Sequence, residues 1–193
     1  MFRNVSDSEL NEEVARFEVE HEDVYHWKNF YKQVYMWLQD EGFKHLDGTD
    51  YVEDLYWERV NPNGNKDFHI WWRAKRVPGN DYFEYFIKIN FQGINFGTAE
   101  VMVEGHKVST NRGDGIIRVT SYLRLDPLER MQKHPILKHF HWLFRHRIYN
   151  KIIKQHKDDL YSTTYRLHRT IKEYLALKQP SEQPKLFHHV KGV

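Results

Sequence analysis

The clearest pattern in the chain is an alternation of apolar and polar residues between positions 51 and 125. A period of two is typical of β-strands that bury one face. It predicts strands over residues 51–60, 66–77, 82–91, 94–103 and 116–125. Gly93 and Gly97 indicate a bulge or bend within this region. Turn-forming residues predict short hairpin connections at 61–65, at 78–81 and at either Gly105 or 111–115, the last containing Arg112-Gly113-Asp114. We therefore expect an antiparallel meander of about five strands.

Helical spacing precedes this region. From Asp23 onward, apolar residues recur at intervals of three and four. Asp23 can serve as the N-cap of this helix, and Gly42 ends the pattern. Nearer the N-terminus, residues 1–15 contain Ser6-Asp7-Ser8-Glu9, which predicts a capped short helix, and residues 16–21 alternate as a strand does.

A long C-terminal segment, residues 136–178, contains neither Gly nor Pro and can be helical throughout. Its apolar residues form two stripes on different sides. The first stripe is Leu137, Phe140, Phe144, Ile148 and Ile152, and the second is Leu160, Thr164, Leu167, Ile171 and Leu175. Either the helix breaks near Asp158-Asp159, which are good N-cap residues, or one helix serves two partners; we favour the break. Residues 1–179 then form one α+β domain, a meander flanked by an N-terminal helix and a long C-terminal helix or helical hairpin. Residues 180–193 are expected to be a flexible tail.

Composition narrows the classes of function. The 193 residues include no Cys, which excludes a disulfide framework, a thiolate zinc site and a cysteine nucleophile. Lys and Arg number 29 against 27 Asp and Glu, and this balance does not by itself indicate nucleic acid. The charges are segregated, however, with acidic residues prominent in 1–54 and basic residues in 133–178. No apolar run approaches the roughly 20 residues of a membrane span, and a signal-peptide core is lacking, so we expect a cytoplasmic protein.

The second face of the sheet is the first candidate site. Alternation places rings and cations together on this face: His69, Trp71, Arg73, Phe86, Lys88, Arg118, Tyr122 and Arg124. Rings can stack on unpaired bases while cations hold phosphates, as on the sheet platforms that bind single-stranded nucleic acid. The alternative is that helices cover this face and the long side chains reach around their edge.

The aromatic and basic segment 139–154 is a second candidate, because Arg147 and Lys151 intrude on the first apolar stripe. Cations in such positions either pair with carboxylates or reach an anionic ligand. The segment around it is also rich in histidine, at positions His134, His139, His141 and His146. No two of these have the spacing of four residues that joins helical ligands at one ion, so no metal and no cofactor is predicted.

Signatures of catalysis are lacking. Neither a phosphate-binding glycine loop nor a serine nucleophile elbow occurs in the sequence. Acidic pairs such as Glu53-Asp54 are adjacent in sequence, and adjacent side chains on a strand or helix point apart. The sequence therefore predicts a protein that is not an enzyme.

Three segments carry a resemblance to known sequences. They are YKQVYMWLQDEG at 31–42, DFHIWWRA at 67–74 and HPILKHFHWLFRHRIY at 134–149. Together they resemble a group of small uncharacterised archaeal proteins, over residues 17–177 of this chain. The resemblance implies an archaeal, intracellular origin and transfers no functional residues.

Three functions are compatible with these observations. The leading hypothesis is a binding module that contacts RNA, a ribonucleoprotein or another anionic surface through the sheet face and the C-terminal helices. The first alternative is a small-molecule carrier with an apolar pocket lined by Trp57, Trp72, Phe83 and Phe91. The second is a self-assembling structural protein that forms a homo-oligomer through its C-terminal helices.

Overall fold

The structure is a computed structural model that describes residues 11–79, 81–103, 106–137, 143, 147 and 149–177. Its elements in chain order are strands β1 (Asn11–His21) and β2 (Val24–Tyr25), helix α1 (Trp27–Asp40), strands β3 (Glu53–Val60), β4 (Lys66–Arg76), β5 (Phe83–Val103) and β6 (His106–Leu125), and helices α2 (Arg130–Lys133) and α3 (Asn150–Leu177). The predicted α+β class, an antiparallel sheet with an N-terminal and a C-terminal helix, is confirmed.

The sheet has six strands in the order β1-β6-β5-β4-β3, and the short β2 also pairs with β6. Strands β3 to β6 follow one another as a meander, and every pairing is antiparallel. Strand β1 joins the sheet differently, by pairing with β6 from the far end of the chain. Glu18 and Arg118, for example, lie opposite each other although 100 residues separate them in sequence. The sheet is therefore complete only when β1 and β6 have paired across this separation in sequence.

Strands β5 and β6 are longer than predicted. The predicted strands 82–91 and 94–103 form one strand, β5, with a register shift between Ile94 and Gly97. The hairpin turn predicted around Arg112-Gly113-Asp114 is wrong, because these residues lie within β6. A Cβ at position 113 would collide with the ring and backbone of Phe96. Gly113 is therefore explained by a close approach between strands rather than by a turn.

Helix α1 begins three residues later than predicted. Val24 and Tyr25 pair with β6, so the N-cap is His26 and not Asp23. The His26 ring accepts a hydrogen bond from the backbone N–H of Asn29 at 3.3 Å. The predicted end is confirmed, since Gly42 has a φ of 75° directly after the helix. Residues 11–15 belong to β1 rather than to a helix, and Ser6 to Glu9 lie outside the described residues.

Helix α3 is continuous from Asn150 to Leu177, so the predicted break at Asp158-Asp159 is wrong. The second predicted stripe is confirmed as its buried face, comprising Leu160, Thr164, Leu167, Ile171 and Leu175. Of the first stripe, Leu137 is half-buried, whereas Ile152 is exposed and Ile153 is buried instead. Its members Phe140, Phe144 and Ile148, like residues 180–193, lie outside the described residues.

Helices α1 and α3 pack on the same side of the sheet. Trp27 and Tyr31 of α1 contact the rings of Phe68 and Trp72, with centroids 4.6 and 4.5 Å apart. From α3, His156 lies 4.1 Å from the ring of Phe83. The core between sheet and helices is rich in aromatic rings, including Phe30, Phe68, Trp72, Phe83, Tyr85 and Phe91. Because Trp72, Phe83 and Phe91 are buried here while Trp57 is exposed on the other side, these four residues do not line one pocket.

Candidate nucleic-acid interface

The outer face of the sheet is the side opposite α1 and α3. All eight residues predicted to share one face lie on it: His69, Trp71, Arg73, Phe86, Lys88, Arg118, Tyr122 and Arg124. Cross-strand neighbours include Trp71 with Asn90, and Arg73 with Lys88. Helices α1 and α3 both pack on the opposite side of the sheet and do not cover this face.

Two cations of the outer face are already engaged by carboxylates. Arg118 forms an ion pair with Glu18 of β1 and donates a hydrogen bond to Gln92 at 3.0 Å. Arg124 donates to the buried carboxylate of Glu84 at 2.8 Å. These pairs join neighbouring strands, and we assign Arg118 and Arg124 mainly to the stability of the sheet.

The other two cations among these eight residues, Arg73 and Lys88, face each other on adjacent strands and are called the central pair. Arg73 donates to the carbonyl of Trp72 at 2.8 Å and to Asn90 Oδ1 at 2.9 Å. Among the described residues, neither member of the central pair forms an ion pair with a carboxylate. Like charges directly opposite each other destabilise a sheet. The packing of the protein alone therefore gives no reason for this arrangement.

The electrostatic surroundings of the central pair favour an added negative charge. Burial lowers the pKa of Lys88, the positive charges of Arg73 and then Arg124 lower this pKa further, and the carboxylate of Glu13 partly offsets these effects. Burial also lowers the pKa of Arg73, against the opposing charge of Asp54. Both shifts mean that the charged form is less favourable here than in water, and an anion nearby would reverse this effect.

Aromatic rings surround the central pair. Lys88 Nζ lies 4.8 Å from the ring centroid of Tyr122 and 5.7 Å from that of Phe86. The guanidinium of Arg73 lies 5.7 Å from the ring of Trp71, whose side chain is 43% exposed. Farther along, His69 contacts the exposed ring of Trp57 at 5.4 Å. In the described part of the chain, the outer face thus places two cations that form no ion pair with a carboxylate beside the exposed rings of Trp71 and Trp57.

The second predicted site is not part of this face. Lys151 lies on α3, which packs on the other side of the sheet, and Arg147 precedes that helix. Both residues are exposed, so the predicted intrusion of their side chains on an apolar stripe is not observed. The structure does not bring Arg147 and Lys151 together with the central pair.

The predicted histidine cluster can be checked at one position. His134 Nδ1 accepts hydrogen bonds from the backbone N–H groups of Ile136 and Leu137, at 3.3 and 3.2 Å. His139, His141 and His146 lie outside the described residues. Within the ranges that the structure covers, no three His, Cys, Asp or Glu residues are grouped so that they could hold a metal ion.

Sequence reasoning missed the neutral residues of the outer face. Asn90, Gln92 and Thr120 stand opposite Trp71, His69 and Lys88 and complete its polar surface. The period-two pattern of β5 and β6 could have placed them, because each alternates with a buried apolar residue.

Comparison of the chain with protein-family models, curated proteins and solved structures finds no match of any of the three kinds. In the described part of the chain, none of the helices combines the length and apolar character needed to cross a membrane.

Proposed function

We propose that this protein is a non-enzymatic binding module that holds single-stranded RNA on its outer face. The observation that carries the proposal is the central pair, Arg73 and Lys88, which has no carboxylate partner among the described residues and lies beside accessible rings. A phosphate between these cations would relieve their mutual repulsion. Backbone phosphates held by Lys and Arg supply most of the affinity in nucleic-acid complexes.

Single strands fit this surface better than duplexes do. Trp71 and Arg73 are two residues apart on β4, so their Cα atoms lie about 7 Å apart along the strand. The guanidinium of Arg73 lies 5.7 Å from the ring centroid of Trp71. A base stacked on Trp71 would thus keep its phosphate within reach of the central pair. Bases within a duplex are stacked on one another and cannot lie flat on a protein ring.

The first test compares binding at two salt concentrations. A fluorescein-labelled RNA of about 12 nucleotides is titrated with protein, and anisotropy is measured at about 50 and about 200 mM salt. We expect Lys88→Met to weaken binding and to reduce the salt dependence by about one phosphate contact. Lys172→Met, on the exposed side of α3, is the matched control and should bind like the parent protein. An affinity that is the same at both salt concentrations would contradict the proposal.

A second variant separates stacking from charge. Trp71→Leu should weaken RNA binding by about 5- to 150-fold without changing its salt dependence, because a stacked base contributes about 1–3 kcal/mol. Tyr161→Leu removes an exposed ring from α3 and serves as the control. If both ring variants lose equal affinity, or if a duplex of the same length binds as tightly, the outer face is not a stacking platform.

A further inference from the structure

A cavity of about 340 Å³ opens between α1 and the start of β3, on the helical side of the sheet. Its walls are mainly rings, contributed by Tyr31, Tyr35, Tyr51 and Trp72. The volume falls within the range of pockets that hold small organic ligands. Since Trp72 points to the helical side while Arg73 points to the outer face, this cavity is separate from the RNA-binding surface proposed above.

The ring walls are fixed in place by one carboxylate. Glu53 accepts hydrogen bonds from the hydroxyls of both Tyr31 and Tyr51, the latter at 2.8 Å. Trp72 Nε1 donates to the hydroxyl oxygen of Tyr31 at 2.9 Å. Burial, followed by the hydrogen bond to Glu53, raises the pKa of Tyr31, so its hydroxyl stays a donor. The Glu53 charge is thus used within the protein to orient the walls.

Two lysines at the cavity do not orient its walls in the way that Glu53 does. Lys28 and Lys32 both line it, and they stand one turn apart on the same side of α1. Like charges at this spacing destabilise a helix. In the ranges the structure describes, neither lysine is part of an ion pair, although Asp and Glu residues neutralise cations elsewhere on the surface. The cavity wall itself is almost entirely apolar, so Lys28 and Lys32 line it mainly with their methylene groups. Both side chains are exposed, which puts two positive charges at the rim of the cavity, against one carboxylate that is already engaged.

We propose that this cavity binds a small, flat aromatic molecule that carries one carboxylate. The ring system of the ligand packs against Tyr35 and Tyr51, where aromatic contacts favour planar groups. Its carboxylate meets the ammonium groups of Lys28 and Lys32, which gives charge-assisted hydrogen bonds. The site is independent of RNA binding, and each proposal can fail without the other.

Three probes with the same ring system and different charge test the ligand class. Naphthoate, naphthalenemethanol and naphthylmethylammonium are each titrated into the full-length protein and followed by calorimetry. We expect naphthoate to bind at least about tenfold more tightly than the neutral alcohol, and the ammonium probe to bind most weakly.

Variants locate the site. Lys28→Met together with Lys32→Met should abolish the preference for naphthoate while leaving the alcohol affinity unchanged. The control combines Lys154→Met with Lys172→Met on the exposed side of α3 and should keep the preference. Tyr35→Leu should weaken naphthoate and alcohol alike, with circular dichroism confirming the fold. The proposal is overturned if no probe binds, if the ammonium probe binds most tightly, or if the control variant loses the preference equally.

Discussion

Tyr25 is a buried residue whose polar hydroxyl group does not suit its surroundings. Its side chain is 1% exposed, and in the described part of the protein its hydroxyl has no hydrogen-bond partner. The ring itself is well packed, with edge-on contacts to His21 and Phe96 at 5.0 and 5.5 Å. A Cβ at Gly115 would collide with the hydroxyl oxygen. The hydroxyl of Tyr25 thus costs hydration free energy and also restricts position 115 to glycine.

Tyr25 and Gly115 should therefore be energetically coupled. Tyr25→Phe is expected to raise the free energy of unfolding by about 1 kcal/mol, because it removes an unsatisfied buried group. Gly115→Ala should lower it by about 1–3 kcal/mol through overpacking. In the double variant most of this loss should disappear, since the nearest remaining ring atom is 3.3 Å from the new Cβ. Denaturant titration of all four proteins measures the coupling, and strictly additive changes would contradict this prediction.

At single positions, strand alternation allowed the outer face to be predicted, because the direction of a side chain follows from its neighbours along the strand. The pairing of Arg118 with Glu18 and of Arg124 with Glu84 could not be predicted in this way. The first depends on the register between β1 and β6, which are distant in sequence, and the second on the register of β5 with β6, both of which are longer than predicted. The structure was therefore needed to narrow the candidate site from eight residues to the central pair.

Among the helices and strands, the errors have two physical causes. Asp159 does not need to cap a helix, because its carboxylate accepts a hydrogen bond from Tyr85 at 2.9 Å in the middle of α3. Gly113, which suggested a turn, provides room for Phe96. In both cases a tertiary contact replaces the local role that the residue type suggests. The buried stripe of α3 and the Gly42 end of α1 were predictable because they depend on local spacing and backbone geometry.

The carboxylate of Glu41 connects α1 with β4 and α3. At the end of α1 it accepts hydrogen bonds from Arg76 of β4 at 3.3 Å and from Arg166 of α3 at 2.8 Å. The guanidinium of Arg76 is also held between the rings of Phe43 and Tyr85, at 5.1 and 5.0 Å. Neutralising Glu41 would leave the partly buried guanidinium of Arg76 beside the exposed guanidinium of Arg166, with Asp159, 3.5 Å from Arg76, as the remaining carboxylate.

Glu41→Gln should therefore lower the free energy of unfolding by about 1–3 kcal/mol, the usual contribution of a hydrogen bond to a charged group. The matched control is Glu173→Gln, which weakens an exposed ion pair with Arg169 within α3 and should have little effect. Thermal and denaturant unfolding provide the measurement. Equal losses in the two variants would show that Glu41 acts as an ordinary surface charge.

For the whole molecule, three histidines make stability dependent on pH. Burial lowers the pKa of three histidines, His21, His156 and His168, below the ordinary value of 6.5. The unfolded chain then takes up protons at a higher pH than the folded protein does. The stabilising contribution of neutral imidazole is thus fully present above about pH 6.5 and is lost as the pH falls through the lower, folded-state values.

We expect the free energy of unfolding to decrease between about pH 7.5 and about pH 5.5. His156→Gln should make this decrease smaller, because glutamine can replace the hydrogen bond to Tyr85 but does not titrate in this range. His106→Gln, at an exposed position, is the control and should leave the slope unchanged. A slope that is the same in all three proteins would assign the pH dependence to other groups.

The pairing of β1 with β6 also has a consequence for the newly made chain on the ribosome. With 100 residues between Glu18 and Arg118, and synthesis at about 5–20 residues per second, β1 waits roughly 5–20 s for its partner strand. During this time it is an unpaired strand that other chains could engage. Every second position of β1 from residue 16 to residue 20 is charged, namely Arg16, Glu18 and Glu20. Charged side chains oppose the pairing of a strand with a foreign edge strand. The charges of β1 thus protect the chain before the sheet exists.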